Sequence, residues 1–343
     1  MPSSQPERAA DVGALSAIAQ RLCGEPVQSV QACRASGNNR VYRIQTRHAL
    51  FALKTYGSVE GDDRDRLGHE FDGLRFVAAA DVGAAVPAAI AVDRPERCAL
   101  YAWIDGEAVV DHDVHDITAA LDLAASLHRA RQTPGAEHLP AATEAVFTAA
   151  DLIDQIERRI ARLASVAPGE PELAAFLAAE LRPEFVRRAS HLSDGGRHAV
   201  LDRTRCTLSP SDFGFHNALR GPDGSLTFID FEYFGWDDPV KLAADFLWHP
   251  GMRLSAPERR AFLEGVTALY GLDPSFAARL YLHFPLYGIR WCLIILNEFV
   301  PQLWARRAFA GKGGDWEAAK SEQLTKARAT LAAVRSYREG EFG

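Results

Sequence analysis

The feature that most constrains this chain is a change of period near residue 102. Over residues 27–100 the apolar residues come in short runs, VQSVQAC, VYRIQT and LFALKTY, separated by the turn-prone SGNN and TRH. Short alternating runs bounded by polar turns predict an antiparallel meander. Residues 62–80 then place Leu67, Phe71, Leu74 and Val77 on one stripe with charges opposite, which is helical spacing. A further extended stretch opens at Pro87, continues through CALYAWIDGEAV, and turns at residues 103–106. Beyond that point the longer period covers residues 117–131, 145–166, 171–190, 256–270, 274–303 and 315–337. The expectation is an α+β chain of two lobes. Residues 1–102 form a small antiparallel β lobe plus a helix, and residues 103–343 a larger, mainly α lobe.

Composition excludes several classes of function. With 343 residues, 48% apolar and 24% charged, the chain can bury a sizeable core. A formal charge of −7, with no basic stripe interleaved with aromatics, removes the footprint of a nucleic-acid binder. The five cysteines are scattered and contain no CxxC pair, so neither a disulfide framework nor a zinc site is indicated, and a reducing cytoplasm fits. The N-terminus lacks the basic start and apolar core of a signal peptide. The most apolar stretch, residues 291–300, is broken by Asn297 and Glu298, so no membrane span is expected. Lysine occurs only at Lys54, Lys241, Lys312, Lys320 and Lys326, which draws attention to any lysine set in an apolar run.

One interruption breaks the helical half, at residues 207–238, and it holds the chemistry. Asp212 and Asn217 stand five apart in SDFGFHN, and Asp230 follows thirteen residues later at the end of LTFID. Phosphoryl transfer needs such a trio: a base for the attacking hydroxyl, and an amide and a carboxylate to hold Mg²⁺ against the phosphates. A hairpin through Gly221, Asp223 and Gly224 returns Asp230 beside the loop. Residues 212–214 also spell DFG, the metal-binding signature of protein kinases, which would shift every role by one motif. Spacing decides against that register, because the upstream Asp194 and Asp202 have Ala199 and Thr207 five residues on, not asparagine.

The small lobe supplies the complement. Lys54 sits inside LFALKTY, where a kinase places the lysine that grips the phosphates. Edge-strand lysines also serve only to discourage aggregation. Glu70, sixteen residues on and in the helix, is placed to pair with Lys54, although an exposed helix charge would look the same. The turn at Ser36, Gly37, Asn38 and Asn39 offers backbone N–H groups that can cover phosphates, as can many a plain hairpin turn.

Turn, lysine, glutamate, base, asparagine and aspartate, in that order, resemble the aminoglycoside phosphotransferase and choline kinase superfamily over essentially the whole chain. SGNNRVYRI resembles its nucleotide loop, YAWIDG its lobe-connecting strand, LAASLHRA a helix ending in Leu-His, and FIDFEYFGWDDP its metal-binding strand with the acidic turn after it. The resemblance implies a bilobal protein-kinase-like fold and an ATP- and Mg²⁺-dependent kinase of a small molecule. In it Asp212 is the base, Asn217 and Asp230 bind metal, and Lys54, Glu70, Ser36, Gly37, Asn38 and Asn39 hold the nucleotide. Two departures stand out. Pro210 and Ser211 replace the usual His-Gly before the catalytic aspartate, and Leu242 stands where many relatives carry aspartate, with Asp245 as a possible substitute. The alternative is a kinase-fold nucleotide-binding protein with impaired catalysis.

Other constellations carry less. DHDVHD at residues 111–116 places His112 and His115 near aspartates, but before a helix such residues cap or solvate the first turn. His128 reads as a packed histidine. Ser209 and Ser211 lack the GxSxG elbow of a serine hydrolase. Asp238, Asp245, Tyr287, Trp291 and Glu298 offer acidic and aromatic groups to a cationic acceptor, or else salt-bridged structure. An amino alcohol, an aminoglycoside or a sugar fits the acceptor role.

Overall fold

Alternation along the first strands decides what covers each face of the sheet. The computed structural model describes residues 12–33, 39–57, 64–307 and 314–338. After helix α1 (Val12–Cys23), strands β1 (Ser29–Ala32), β2 (Asn39–Gln45), β3 (Leu50–Tyr56), β4 (Ala89–Asp93) and β5 (Cys98–Ala102) form an antiparallel sheet in the order β1-β2-β3-β5-β4. Successive strand residues point to opposite faces. Leu53 joins Ile44 and Leu100 in a small core roofed by Leu15 and Ala19 of α1. Tyr56 faces the other way, with Tyr101, Leu67 and Leu74. Lys54, two residues from Tyr56, shares its face. No helix is expected from the sequence before residue 27. Yet α1 carries Leu15, Ile18, Ala19 and Leu22 at amphipathic spacing and turns them onto the sheet's outer face.

Helix α2 (Arg66–Ala80) crosses the inner face. It starts later than expected, because Asp65 caps it by accepting the Gly68 N–H at 2.9 Å, and it ends where Asp81 enters the left-handed region at φ 49°. Gly73 in its middle is required by packing. A Cβ there would lie 2.3 Å from Cδ1 of Phe234, so a residue just beyond Asp230 seats directly on the helix backbone.

The rest is helical around the expected interruption. After β6 (Glu107–Ala108) come α3 (Val114–Ala130), α4 (Ala149–Val166), α5 (Pro171–Ala175), α6 (Arg182–Ala189) and α7 (Asp194–His198). Strands β7 (Thr207–Ser209), β8 (Ala218–Arg220), β9 (Leu226–Phe228) and β10 (Gly235–Asp237) follow, then α8 (Pro239–Trp248), α9 (Ala256–Tyr270), α10 (Phe276–Ile295), α11 (Pro301–Arg307) and α12 (Trp316–Ser336). Helix α10 is apolar on nearly all sides and is buried accordingly, with α4, α8 and α12 packed around it. The main core runs unbroken from α2 and the inner sheet face into this helical body.

Two expected helices are interrupted, both by proline. Residues 176–181, within the helix expected over 171–190, are π-helical just before Pro183, whose missing N–H and bulky ring spoil the ordinary ladder. The helix expected over 274–303 ends at Ile295, passes through a tight turn, and restarts at Pro301 after an extended Val300. Among the described residues no helix is long and apolar enough to cross a membrane.

Candidate active site

The inner face of the sheet, α2 and the segment after β9 converge on one ammonium group. Lys54 is only 6% exposed, and its Nζ donates to Oε2 of Glu70 at 2.6 Å and to Oδ1 of Asp230 at 2.5 Å. Register explains the convergence: β3 pairs Lys54 with Val41 and Ala99, centring it in the sheet, and Glu70 lies one turn into α2 on the face that buries Leu67, Phe71 and Leu74. The Tyr56 hydroxyl donates to Glu70 at 2.8 Å and lies 2.7 Å from the Tyr101 hydroxyl, so Glu70 is fixed from two sides. Glu232 accepts the side-chain N–H of Asn39, the first residue of β2.

The cluster is rich in carboxylates. Burial opposes the Lys54 ammonium, but Asp230, Glu70 and Glu232 reverse that and hold it protonated far above its usual range. Burial raises Glu70, an effect Lys54 opposes and Asp230 adds to; burial and Asp230 likewise raise Glu232. Asp230, Glu70 and Glu232 thus gather around the Lys54 ammonium, with the Arg66 guanidinium also acting on Glu232. Asp230 itself sits in the left-handed region at φ 68°, a strain of the kind that gathers at functional sites.

The second half of the site is the loop between β7 and β8. Strand β7 pairs with β10, Gly235 opposite Ser209, so the loop leaves the sheet immediately beside the chain that returns from Asp230. The β8–β9 hairpin forms as its turn residues require, with Ala218 opposite Phe228, and Ile229 N–H donates to the Asn217 carbonyl at 2.8 Å. Asn217 and Asp230 are thereby brought together. The Asn217 amide N–H donates to the Asp212 carbonyl at 3.0 Å, closing the five-residue loop and leaving the amide oxygen for another partner. The Asp212 side chain is 40% exposed, and Nε2 of His216 lies 3.0 Å from its Oδ1. Burial would raise this carboxyl, but the hydrogen bond from His216, supported by His249 and Asn217, holds it at about 2.

Beneath the loop lies a support that the sequence reading did not identify. Ser211, at φ 67°, accepts from Lys241 Nζ at 2.8 Å and donates to the Thr143 carbonyl at 3.2 Å. Lys241 is fully buried, pairing with Asp237 at 2.8 Å and lying 3.4 Å from Asp245. Asp245 in turn holds Arg290 in a two-pronged pair at 2.5 and 2.7 Å and accepts the Trp291 N–H at 2.9 Å. Two signals for Lys241 were available in the sequence: the scarcity of lysine, and aspartates four residues to either side at Asp237 and Asp245.

Of the site residues expected from sequence, Lys54, Glu70, Asn39 and Asp230 meet in one cluster, and Asp212 and Asn217 meet in the adjoining loop. Ser36, Gly37 and Asn38 lie outside the described residues. The acceptor-side candidates divide differently: Asp238 pairs with Arg279, Asp245 with Arg290, and Tyr287 is fully buried. These groups are internal structure, and they present no surface to a cationic acceptor. In DHDVHD, Asp113 caps α3 in a reciprocal box with Asp116, His112 lies between Glu258 and the Met252 carbonyl, and Asp116 holds Arg220. His128 packs edge-on against Tyr270, and burial pushes it down to about 4.

No protein-family model matches the chain, and no curated protein matches it in sequence. Its structure is similar to that of the spectinomycin phosphotransferase APH(9)-Ia in complex with ADP and spectinomycin, at a TM-score of 0.63 and 12% identity, over 97% of this chain and 100% of that one. It is similar to choline kinase LicA from Streptococcus pneumoniae at a TM-score of 0.56 and 16% identity, over 94% and 99%. An ethanolamine kinase from Plasmodium vivax matches at 0.55 and 15%, over 90% and 83%. The chain therefore has the bilobal, protein-kinase-like α+β fold of the aminoglycoside phosphotransferases and the choline and ethanolamine kinases.

Proposed function

We propose that this protein is an ATP-dependent phosphotransferase that moves the γ-phosphate to a hydroxyl of a small molecule, an amino alcohol, an aminoglycoside or a sugar. The observation that carries the reading is the buried Lys54 ammonium held between Glu70 and Asp230, with Glu232 beside them. A lysine so fixed offers its remaining donor capacity to phosphate oxygens. The clustered oxygen ligands fit a hard divalent cation, and Asn217, Asp230 and Glu232 supply the donors that Mg²⁺ prefers. Mg²⁺ bound there would neutralise charge on the β- and γ-phosphates. Residues 1–102 would act as the nucleotide-binding lobe, with the turn at Ser36, Gly37, Asn38 and Asn39 over the phosphates. Residues 103–343 would supply the catalytic and metal-binding loops.

Asp212 then orients the acceptor hydroxyl and takes its proton as the bond to phosphorus forms. Held at about 2, this carboxyl is ionised at neutral pH and a weak base, so its main contribution is to accept the hydroxyl's hydrogen bond and orient it, with the proton passing as the bond to phosphorus forms. Positioning and electrostatics do most of the work in this chemistry. The altered opening at Pro210 and Ser211 does not favour the impaired alternative, because Lys241 anchors the loop through Ser211.

The test is Mg²⁺-dependent ADP formation from ATP across amino alcohols, aminoglycosides and sugars, with Asp212→Asn alongside. Acceptor-stimulated turnover that disappears in the variant is expected, a loss of about a hundredfold or more. Absence of Mg·ATP binding by the wild-type protein would overturn the assignment.

A further inference from the structure

The loop opening that lacks the usual histidine nevertheless places two histidines against the catalytic aspartate from elsewhere. His216 Nε2 lies 3.0 Å from Asp212 Oδ1. The ring of His249, from the end of α8, stacks on His216 with centroids 3.8 Å apart and planes inclined by only 9°. His249 is itself gripped. Its Nδ1 accepts the Gly251 N–H at 3.1 Å, and its ring meets Trp291 edge-on at 4.7 Å. Trp291 donates to Asp245, which pairs with Arg290 and lies near Lys241, and Lys241 returns to Ser211, the neighbour of Asp212. A closed circuit of contacts thus runs out from the base and back to it.

We propose that His216, backed by the stacked His249, is the positioning residue of the catalytic base: its Nε2–H fixes the plane of the Asp212 carboxylate, holding one oxygen and presenting the other to the acceptor hydroxyl. The proposal rests on Asp212 being the base. The tautomer follows from chemistry: an ionised carboxylate only accepts, so the His216 nitrogen facing it carries the hydrogen. Orientation of a reacting group matters steeply, since a displacement of about 1 Å costs on the order of a hundredfold in rate.

The same three side chains place potential ligand atoms within 4.8 Å of one another, which raises a transition-metal site as the rival. Two features weigh against it. Lone pairs of imidazole lie in the ring plane, so parallel stacked rings do not converge them on one ion. His249 Nδ1 is also already occupied by the Gly251 N–H. Metal-bound histidines use the second nitrogen as a donor instead.

The experiment has a kinetic arm and a spectroscopic one. With the acceptor that gives turnover in the panel above, His216→Phe is expected to lower kcat about tenfold to a hundredfold with little change in the KM for ATP. His216→Gln, whose amide N–H replaces Nε2–H, is expected to restore most of that loss. His249→Ala is expected to lower kcat in the same direction. In ¹⁵N-imidazole spectra of the unliganded protein, His216 is expected as the Nε2–H form, with its signal displaced in Asp212→Asn. An unaltered kcat in His216→Phe beside an inactive Asp212→Asn would overturn the positioning role and leave the base in place. An active Asp212→Asn would remove both. Inhibition of the wild type, but not of His249→Ala, by micromolar Zn²⁺ at constant Mg²⁺ would overturn the dyad in favour of a metal site.

Discussion

Lys54 and Lys241 are both buried cations, each among carboxylates, yet they answer different needs. Lys54 touches the partly exposed Asp230, whereas Lys241 is sealed under the loop with Asp237. Burial raises Asp237, and Lys241 opposes it, so removing the ammonium would leave a poorly solvated acid. Lys241→Met is therefore expected to cost about 3–5 kcal/mol in denaturant unfolding. Lys54→Met relieves a cluster that opens to solvent at Asp230, and is expected to abolish Mg·ATP binding, read by calorimetry, while leaving a cooperative unfolding transition. A variant at Lys54 that bound nucleotide normally would contradict its proposed role. Both lysines stood out in the sequence by rarity. Only Lys54 had a motif to explain it: Asp237 and Asp245 flank Lys241 at four residues on either side, but its link to Ser211 crosses thirty residues and shows only in the fold.

At the scale of elements, α2 couples the sheet to the segment that follows the β8–β9 hairpin. Its Gly73 admits Phe234 against the backbone, which keeps the segment after Asp230 close to Glu70. Gly73→Ala would force that contact apart, since a Cβ has 2.3 Å where it needs well over 3 Å. The expected cost is about 1–3 kcal/mol in stability. A weakened affinity for Mg·ATP should accompany it, because Lys54 draws partners from both sides. A purely structural test is available in α4, where Thr148 and Asp151 form a reciprocal capping box. Thr148→Ala is expected to cost about 1 kcal/mol without altering nucleotide binding. The starts of α2, α4 and α12 were legible only to within a few residues, because caps such as Asp65 and Thr148 fix them and charged neighbours mask which residue caps.

For the molecule as a whole, buried histidines contribute to the acid limit alongside the paired carboxylates. Burial, aided by Arg131, pushes His128 down to about 4, and burial with Arg279 does the same to His283. His249 is also held at about 4, by burial and the adjoining His216. Each binds its proton less readily folded than unfolded, where an ordinary value near 6.5 applies. Their contribution to stability is present above about pH 6.5 and is lost as pH falls toward about 4. Asp238 works in the opposite sense. Burial raises it to about 6 despite Arg279, so it returns stability as pH falls through 6. Tm is expected to drop less between pH 7 and pH 5 in His128→Gln than in the wild type. An identical drop in the two proteins would show that His128 titrates normally in the fold.

The sequence by itself determined the two periods, hence the antiparallel sheet followed by a helical body, and it marked Lys54, Asp212, Asn217 and Asp230 by spacing that local turns and strands can realise. Each of those signals acts over a few residues, where backbone geometry translates sequence into direction. The tertiary structure alone decided that Glu70 is a buried partner rather than a solvated helix charge, that Asp238, Asp245 and Tyr287 are interior, that His216 and His249 stack beside Asp212, and that Lys241 reaches Ser211. Those outcomes depend on which faces pack together across long separations in the chain. A carboxylate or an imidazole carries no mark in its own neighbourhood of the partner that the fold will bring to it.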